Sequence, residues 1–460
     1  MMKSILTSLL LIVSSSISAQ NTVDWLKSNV IPISTTDQFI NSSKEYEPLK
    51  KVLAGKDIIL LGEEDHVFAS TFESKTKLVK FLHEQMGYTV LVFELDIYAL
   101  SRAYQQATKE NNPLRLSNTL YGFWGRVKST ESLYPYIIKS SQTSRPLKVI
   151  GMDCQSAPFF SLPAEIDSLL TVFKSPVREY SYYPAFKALF ERTYRDISGY
   201  QYRLSEKERL LITEVFDDIL FEFDLRSDKN EQVKILQQSL VNFRFQLNNV
   251  WLNQPSNYNF LGYPIPVDSM YGFVSDRRSM SSQNRRDKMM AENIRWIKNV
   301  LYPNEKIIVW AASEHSMYNR HEASFHNFLV DTSFMFFSRF KFNNGYRSMG
   351  TYLRDFFGNR MYSLGFTSLT GQVNFDRTGQ NSYMGEVQTA DNSLESYFSK
   401  LKTPNGILDF RSRKLPIELT NKDLLHNFIG GAPNTSGDIS RFFDGIYFIR
   451  TAKPLEFIKR

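Results

Sequence analysis

The sequence has very little cysteine: Cys154 is the only one among 460 residues. A single cysteine excludes an intramolecular disulfide, so the fold must be stabilised by burial of a core. We interpret Cys154 as a small buried apolar residue, because nothing in the sequence around it would activate its thiol. A chain of this length has room for two or three domains of roughly 150 residues each.

Several familiar signatures of enzymes are also absent. The sequence contains no G-x-S-x-G nucleophile elbow, no G-x-x-x-x-G-K-[ST] phosphate loop, no G-x-G-x-x-G and no H-E-x-x-H. Serine hydrolases, nucleotide hydrolases, dinucleotide enzymes and zincins therefore lack their usual sequence support. The net charge of +7 is small for this length, and basic residues are dispersed among acidic ones. This distribution argues against a nucleic-acid partner.

No apolar run is long enough to cross a membrane, which takes about 20 residues. Near the start, Lys3 precedes an apolar stretch from Ile5 to Val13, and small residues lead to Ala19. This pattern predicts a signal peptide over residues 1–19. We expect an exported protein, either periplasmic or secreted, with no integral membrane segment after the signal is removed. The sequence does not indicate an oligomeric state.

Four short apolar runs end in carboxylates or histidines. A continuous apolar run without alternation predicts a strand covered on both faces, as in a parallel sheet. Ligands of open α/β sheets bind beyond the carboxyl ends of such strands, so we expect these polar groups to converge on one cleft. The runs lead into Gly62-Glu63-Glu64-Asp65-His66, Glu94-Leu95-Asp96, Gly151-Met152-Asp153-Cys154-Gln155 and Ser313-Glu314-His315.

The order of strands and helices predicts an α/β fold with a central, parallel-rich mixed sheet flanked by helices. Residues 20–160 form the first part of this core and residues 284–460 the second part. Between them, at 161–283, strand-like runs give way to amphipathic segments, including a capping-box signature at Ser205-x-x-Glu208. We interpret this stretch as an inserted helical lobe, or lid, over the carboxyl ends of the strands.

Four local predictions can be compared directly with a structure. Apolar periodicity predicts a helix over Phe68–Gly87, with Gly87 as its C-terminal glycine. A second helix is expected over Arg285–Val300, a loop over Asn253–Asp268, and a strand pair at Met361–Phe366 and Gly371–Phe375.

The polar groups at the predicted strand ends suit more than one chemistry. His66 and His315 beside carboxylates suit hydrolysis by a general base, and they also suit a metal site with two histidines. For Glu94, a structural ion pair is as well supported as a catalytic role, and Asp153 is also suited to capping a helix. A third hypothesis is a non-enzymatic protein that binds a small apolar or metal-bearing ligand, since the chain has 36 Phe and 24 Tyr.

Several motifs, in order along residues 50 to 450, resemble those of the erythromycin esterase family. The family's G-E-A-T-H-G motif corresponds to the segment Gly62–Val67, and its glutamate at the end of the next strand corresponds to Glu94. The motifs G-x-D-x-Q, R-D-x-x-M-A-x-N-x-x-W, W-A-H-N-x-H, M-G-x-x-L and F-D-x-I-x-Y correspond to segments that begin at Gly151, Arg286, Trp310, Met349 and Phe443. Their order and spacing are specific for the family but not for a substrate.

The resemblance implies an esterase that needs no metal or other cofactor and acts on a small-molecule ester or lactone. His66 would be the general base that activates water, with Glu63 and Glu94 supporting it, and His315 would polarise or protonate the ester. Substrate-binding or supporting roles are implied for Glu64, Asp65, Asp153, Arg286 and Asp287.

The sequence departs from the family pattern at four positions. Ala69 stands where an arginine is usual, and Ala312 replaces the first histidine of W-A-H-N. Glu64 and Asp65 add two acids where the family has small or hydroxyl residues. These changes leave the substrate open and are the reason for keeping the metal-binding and ligand-binding alternatives beside the esterase.

Overall fold

The computed structural model describes residues 20–39, 43–196, 204–227, 229–249, 272–325, 347–374, 384–431, 433 and 435–459. The predicted signal peptide and the predicted loop Asn253–Asp268 lie outside these residues. The chain divides into two compact units. The first comprises Met1–Tyr88, Tyr121–Tyr136 and Lys306–Arg460, and the second Thr89–Leu120 and Ile137–Glu305.

The strands, in chain order, are β1 (Ile31–Ile33), β2 (Ile58–Glu63), β3 (Tyr88–Asp96), β4 (Lys148–Asp153), β5 (Lys306–Ala312), β6 (Ser324–Phe325), β7 (Met361–Asn374), β8 (Met384–Glu386), β9 (Asn405–Asp409), β10 (Leu425–His426), β11 (Thr435–Ser436) and β12 (Gly445–Ala452). The helices are α1 (Leu49–Val52), α2 (Ala69–Met86), α3 (Ile97–Glu110), α4 (Pro113–Thr119), α5 (Gly122–Gly125), α6 (Leu133–Ser141), α7 (Leu162–Val172), α8 (Tyr183–Asp196), α9 (Glu206–Asp224), α10 (Glu231–Asn249), α11 (Gly272–Trp296), α12 (Ser313–Ser316), α13 (Met349–Phe357) and α14 (Leu394–Ser399).

The first unit is built on a mixed sheet in the strand order β1-β9-β12-β7-β2-β5. Strands β12, β7, β2 and β5 pair in parallel, whereas β9 is antiparallel to both of its neighbours. Every residue of β2 is buried, which explains why its apolar run shows no alternation. A small antiparallel sheet, β10-β11-β6, belongs to the same unit.

The second unit contains the parallel pair β3 and β4 together with a group of helices. The described elements between residues 161 and 283 are all helical, as the amphipathic pattern predicts. Aromatic and aliphatic side chains such as Tyr98, Phe186, Phe216 and Phe243 form one buried cluster in this unit. Packing of apolar faces of this kind supplies most of the stability of helices in proteins.

The predicted α/β class, with a mostly parallel mixed sheet flanked by helices, is confirmed. Helix α2 matches the expected range and ends at Gly87, whose φ of 74° lies in the left-handed region that suits glycine. The capping box at Ser205 and Glu208 is present at the start of α9. Cys154 is buried, as predicted, and burial raises the pKa of its thiol well above the ordinary value.

Two local predictions are wrong. The proposed strand pair is a single long strand, β7, because the residues between its halves also pair with β12, as at Thr370 and Thr451. The antiparallel partner of its second half is β8. Helix α11 begins at Gly272, well before the predicted Arg285, because the residues that open it are too polar to show apolar periodicity.

Within the described part of the chain, no helix is both long enough and apolar enough to cross a membrane.

Candidate active site

In the first unit, strand β2 ends at a buried carboxylate that holds a histidine. Glu63 is the last residue of β2 and is fully buried. Its Oε1 lies 3.1 Å from Nδ1 of His66, three residues later. The His66 side chain keeps 16% of its surface exposed, whereas the Glu63 side chain keeps none. The histidine is therefore the member of the pair that a solute can reach.

Two further side chains hold the Glu63 carboxylate. The ammonium of Lys75, from the buried face of α2, contacts Oε2 of Glu63 and also donates to the Ala311 carbonyl at 3.3 Å. The indole Nε1 of Trp124 donates to Oε1 of Glu63 at 3.2 Å. A buried carboxylate is costly without partners, and here both of its oxygens have them. This arrangement fixes the orientation of the Glu63 carboxylate.

The Glu63 contact determines which nitrogen of His66 can act as a base. A carboxylate accepts hydrogen bonds, so Nδ1 of His66 carries the proton in this pair. In the neutral ring the lone pair is then on Nε2, which becomes the proton acceptor. A histidine oriented by a buried carboxylate is the same arrangement that activates nucleophiles in hydrolytic triads.

Aromatic side chains fix the plane of the His66 ring. The Phe123 ring stacks on His66 with a centroid separation of 4.7 Å and an interplanar angle of 8°. The Trp124 ring meets His66 edge-on at 5.1 Å. Stacked and edge-on contacts of this kind limit rotation of the imidazole and shield one of its faces from water.

His315 lies in α12, directly after β5, and is buried with 6% of its surface exposed. The start of α12 packs on β2, because Ser313 Oγ donates to the Gly62 carbonyl at 2.8 Å. A β-carbon added at Gly62 would lie only 3.0 Å from the Ser313 Cα, so a side chain there would require Ser313 to shift by a few tenths of an ångström. Residues from β2 and β5 thus meet in the same part of the first unit.

The two extra acids of the motif have contacts of their own. The Glu64 oxygens accept hydrogen bonds from Thr71 and Ser368, each at 2.8 Å. Burial raises the pKa of Glu64 to about 7, despite these hydrogen bonds. Asp65 accepts the backbone N–H of His66 at 2.5 Å and so stabilises the turn after β2.

In the second unit, Arg286 joins two acids near the carboxyl ends of β3 and β4. Its guanidinium donates to Glu94 at 2.9 Å and to Asp153 at 2.5 Å. Burial alone would lower the pKa of Arg286, but Asp153 and Glu94 hold this pKa well above its ordinary value. Asp287 beside it is fully buried. The structure therefore shows Glu94 in an ion pair, which is one of the two roles that its sequence context suggests.

The two sets of predicted residues belong to different compact units. Glu63, Glu64, Asp65, His66 and His315 lie in the first, whereas Glu94, Asp153, Arg286 and Asp287 lie in the second. Within each unit the structure brings predicted residues into contact, Glu63 with His66 and Arg286 with Glu94 and Asp153. The convergence of all four strand ends on one cleft, and the catalytic roles, stay predictions.

Comparison with models of known families identifies the family of the chain. The model of the erythromycin esterase family matches residues 83–452, which is most of the sequence. The chain belongs to the erythromycin esterase family. The predicted resemblance is thereby confirmed, and the match includes Glu94, Asp153, Arg286 and His315. Glu63 and His66 precede the matched stretch.

The chain is similar to a Bacillus subtilis (strain 168) protein named "Putative hydrolase YbfO". The two chains are 25% identical over 308 residues, which cover 63% of this chain and 62% of the relative. The match thus spans less than two thirds of the relative's length. The printed name of this relative is that of a hydrolase.

Solved structures share the fold of this erythromycin esterase family member. A Bacillus cereus protein of 18% identity has a TM-score of 0.70, covering 96% of this chain and 99% of that one. A succinoglycan biosynthesis protein has a TM-score of 0.68 at 17% identity, covering 96% and 98% of the two chains. A histidine-to-asparagine mutant of an erythromycin esterase, in its open conformation, has a TM-score of 0.61 at 15% identity, covering 94% and 100%.

Three residues around Glu63 and His66 are not predicted from the sequence, namely Lys75, Phe123 and Trp124. Lys75 carried a usable signal, because it follows Phe72 by three residues and precedes Val79 by four, on the buried stripe of α2. A charged residue on such a stripe needs a buried partner. Trp124 carried no comparable signal, since it lies in a short helix far along the chain from Glu63.

Among the residues that the structure describes, no group of three or more His, Cys, Asp or Glu side chains is arranged to hold a metal ion.

Proposed function

We propose that this protein is a hydrolase that cleaves a carboxylic ester or a lactone with a water molecule activated by His66. The observation that carries the proposal is the contact between Nδ1 of His66 and the buried carboxylate of Glu63. This contact leaves Nε2 as the proton acceptor on a side chain that a substrate can reach. Family membership supports the same class of reaction.

The proposed reaction has two stages. First, Nε2 of His66 takes a proton from water, and the resulting hydroxide attacks the carbonyl carbon of the ester. Glu63 stabilises the imidazolium that forms, and Lys75 offsets the charge of Glu63. The tetrahedral intermediate then collapses, the bond to the leaving oxygen breaks, and the imidazolium gives its proton to that oxygen, so that the leaving group departs as the alcohol. His315 polarises or protonates the ester group, as the family resemblance implies.

The first test is a hydrolysis screen over macrolides and simple esters with the wild type and His66→Ala, each with and without a chelator. We expect at least a hundredfold loss of kcat in His66→Ala, since general-base catalysis contributes roughly 10²–10⁴-fold. His321→Ala is a matched control, because His321 is a histidine with an exposed side chain in the same unit. Unchanged hydrolysis in both His66→Ala and Glu94→Gln would rule out this mechanism.

The same screen separates the two alternatives. Activity lost with chelator, together with a stoichiometric metal in elemental analysis, would favour metal-dependent hydrolysis on the same residues. No turnover of any ester, with ligand binding retained after substitution of His66 and His315, would favour a binding protein. Ester hydrolysis that is unchanged by the chelator and is lost in His66→Ala supports the proposal.

We propose further that the protein is exported and that residues 1–19 are removed. The support is the order of Lys3, an apolar stretch and small residues in the sequence. Mass spectrometry of the protein, expressed with its own leader, should find a mature N-terminus at Gln20 in the periplasm or medium. An intact Met1 in a cytoplasmic fraction would contradict export.

A further inference from the structure

A polar cavity of about 270 Å³ lies in the first unit. Of the described residues that line it, three are arginines, Arg354, Arg411 and Arg441, and one is a carboxylate, Asp355. Hydroxyl-bearing side chains complete the wall, namely Tyr318, Thr351 and Ser440. Guanidinium groups are donors that proteins use to hold oxyanions.

The charges of this arginine pocket are only partly neutralised. Asp355 is ion-paired with Arg347, and Arg441 is held by Glu322 at 2.6 Å. Within the described residues, the hydrogen bonds of the Arg354 guanidinium are long, 3.5 Å to Asp444 and 3.4 Å to Asn359. Both distances are at the outer limit for a hydrogen bond, so Arg354 keeps donor capacity for a ligand.

A buried carboxylate preorganises the wall of the pocket. Asp444, only 1% exposed, accepts the Tyr318 hydroxyl at 2.5 Å and the Ser363 backbone N–H at 2.8 Å. Its other oxygen contacts Nε of Arg411. Among the described residues, this is the only hydrogen bond of the Arg411 guanidinium. Its two terminal nitrogens therefore face no competing acceptor there, and their orientation is fixed.

Neighbouring contacts hold the remaining wall in place. The Arg354 guanidinium lies over the Tyr318 ring, 5.2 Å from its centroid. The backbone of Asn319 adopts a left-handed φ of 45°, and its N–H donates to Thr351 Oγ1 at 3.1 Å. A strained backbone kept by local contacts is a feature that clusters at binding sites.

The pocket is separate from the His66 site within the same unit. Asp444 immediately precedes β12, so the pocket lies at the beginning of that strand. His66 follows the end of β2, and β12, β7 and β2 are parallel. In the register of these strands, Gly445 of β12 lies level with Leu364 of β7 and Leu61 of β2, two strands away. Among the described contacts, none joins a pocket arginine to Glu63 or His66, so the two sites use different side chains.

We propose that this arginine pocket binds a small oxyanion, a phosphate or a carboxylate group. The planar guanidinium presents two parallel N–H donors that match either group. The cavity volume accommodates such a group together with a small organic moiety. Arg411 is 43% exposed, so an ion from solution can enter without rearrangement of the wall.

Isothermal titration of the full chain tests the proposal with inorganic phosphate and, separately, with acetate, at constant ionic strength set by chloride. We expect saturable one-site binding of at least one of the two ions. Arg354→Gln should weaken this binding by about tenfold or more, because hydrogen bonds to charged groups contribute roughly that factor. Phosphate alone or acetate alone as ligand would identify the preferred oxyanion.

Arg360→Gln is the matched control, because Arg360 is ion-paired with Asp57 and does not line the pocket. Arg354→Lys, which keeps the charge but loses the two-pronged geometry, should bind with intermediate affinity. No saturable binding of either ion overturns the proposal. So does equal weakening by Arg354→Gln and Arg360→Gln, which would mean that the ions only screen surface charge. The binding measurement does not depend on whether these variants hydrolyse esters.

Discussion

At the scale of single residues, the contact between Lys75 and Glu63 is the most consequential one in the candidate site. Both side chains are fully buried, and the ammonium of Lys75 also lies 4.5 Å from the Trp310 ring. Breaking a buried ion pair leaves an uncompensated charge, which costs more than the pair itself contributes. Lys75 acts on the proposed chemistry through Glu63, as a positioning residue.

We predict that Lys75→Met lowers the free energy of unfolding by about 3–5 kcal/mol, because Glu63 then stays buried without its cation. Where the variant folds, kcat should fall about ten- to a hundredfold with little change in KM, since the orientation of His66 is relaxed. Urea unfolding and steady-state kinetics measure the two effects.

The control for this prediction is Lys51→Met, which replaces an exposed lysine of the first unit. It should leave both stability and kcat unchanged. Lys75→Arg retains the charge and should recover part of the stability. Equal stability of Lys75→Met and the wild type would show that the Lys75–Glu63 pair does not hold the site together.

At the scale of elements, the start of α9 shows how local sequence determines a boundary. The Ser205 hydroxyl accepts the Glu208 N–H at 3.3 Å, and the Glu208 carboxylate accepts the Ser205 N–H at 2.8 Å. These reciprocal bonds hold the pKa of Glu208 at about 2, together with the Arg192 side chain. Helix ends leave backbone N–H groups without partners, and this motif supplies them.

We predict that Ser205→Ala destabilises the second unit by about 1 kcal/mol, because the orphan N–H groups of α9 lose their cap. The measurement is thermal or urea unfolding followed by circular dichroism. Ser227→Ala, an exposed serine of the same unit outside the cap, should be neutral. Identical losses in the two variants would mean that the cap contributes nothing specific.

Strand β7 shows the opposite case, in which long-range pairing overrides local pattern. Its sequence suggests two short strands with a break, yet the strand is continuous over Met361–Asn374. The first half lies between β2 and β12, and the second half pairs with β12 and β8. The break disappears because hydrogen bonds to distant strands satisfy the backbone there.

At the scale of the whole molecule, buried acids make stability depend on pH. Burial raises the pKa of Glu64 from its ordinary 4.5 to about 7. In the folded state Glu64 therefore stays protonated to higher pH than in the unfolded chain. Its favourable contribution is fully present below pH 4.5, declines as the pH rises, and is lost above about pH 7.

We predict that Glu64→Gln, which keeps the shape and is always neutral, removes this decline. Between pH 5 and pH 8 the wild type should lose on the order of 3 kcal/mol relative to the variant. Urea unfolding at several pH values within that interval measures the difference. An exposed control, Glu386→Gln, should follow the wild-type profile, and a constant difference between Glu64→Gln and wild type would refute the prediction.

Much of the fold follows from local sequence. Apolar runs predict β2 to β5, periodicity predicts α2 with Gly87 at its end, and the ordered motifs predict the family. The Glu63–His66 contact can also be predicted from the sequence, because the two residues are three positions apart in one motif. Such features depend on neighbours along the chain, and local backbone sterics and periodicity reveal them.

Only the tertiary structure determined the rest. Lys75 and Trp124 meet Glu63 from positions 12 and 61 residues away, and Arg286 meets Asp153 across 133 residues. The arginine pocket likewise joins residues from α13 and from the segments that follow β9 and precede β12. No periodicity links these positions. They meet because burying a charge or a polar group requires a partner, and the packed fold alone decides which partner is within reach.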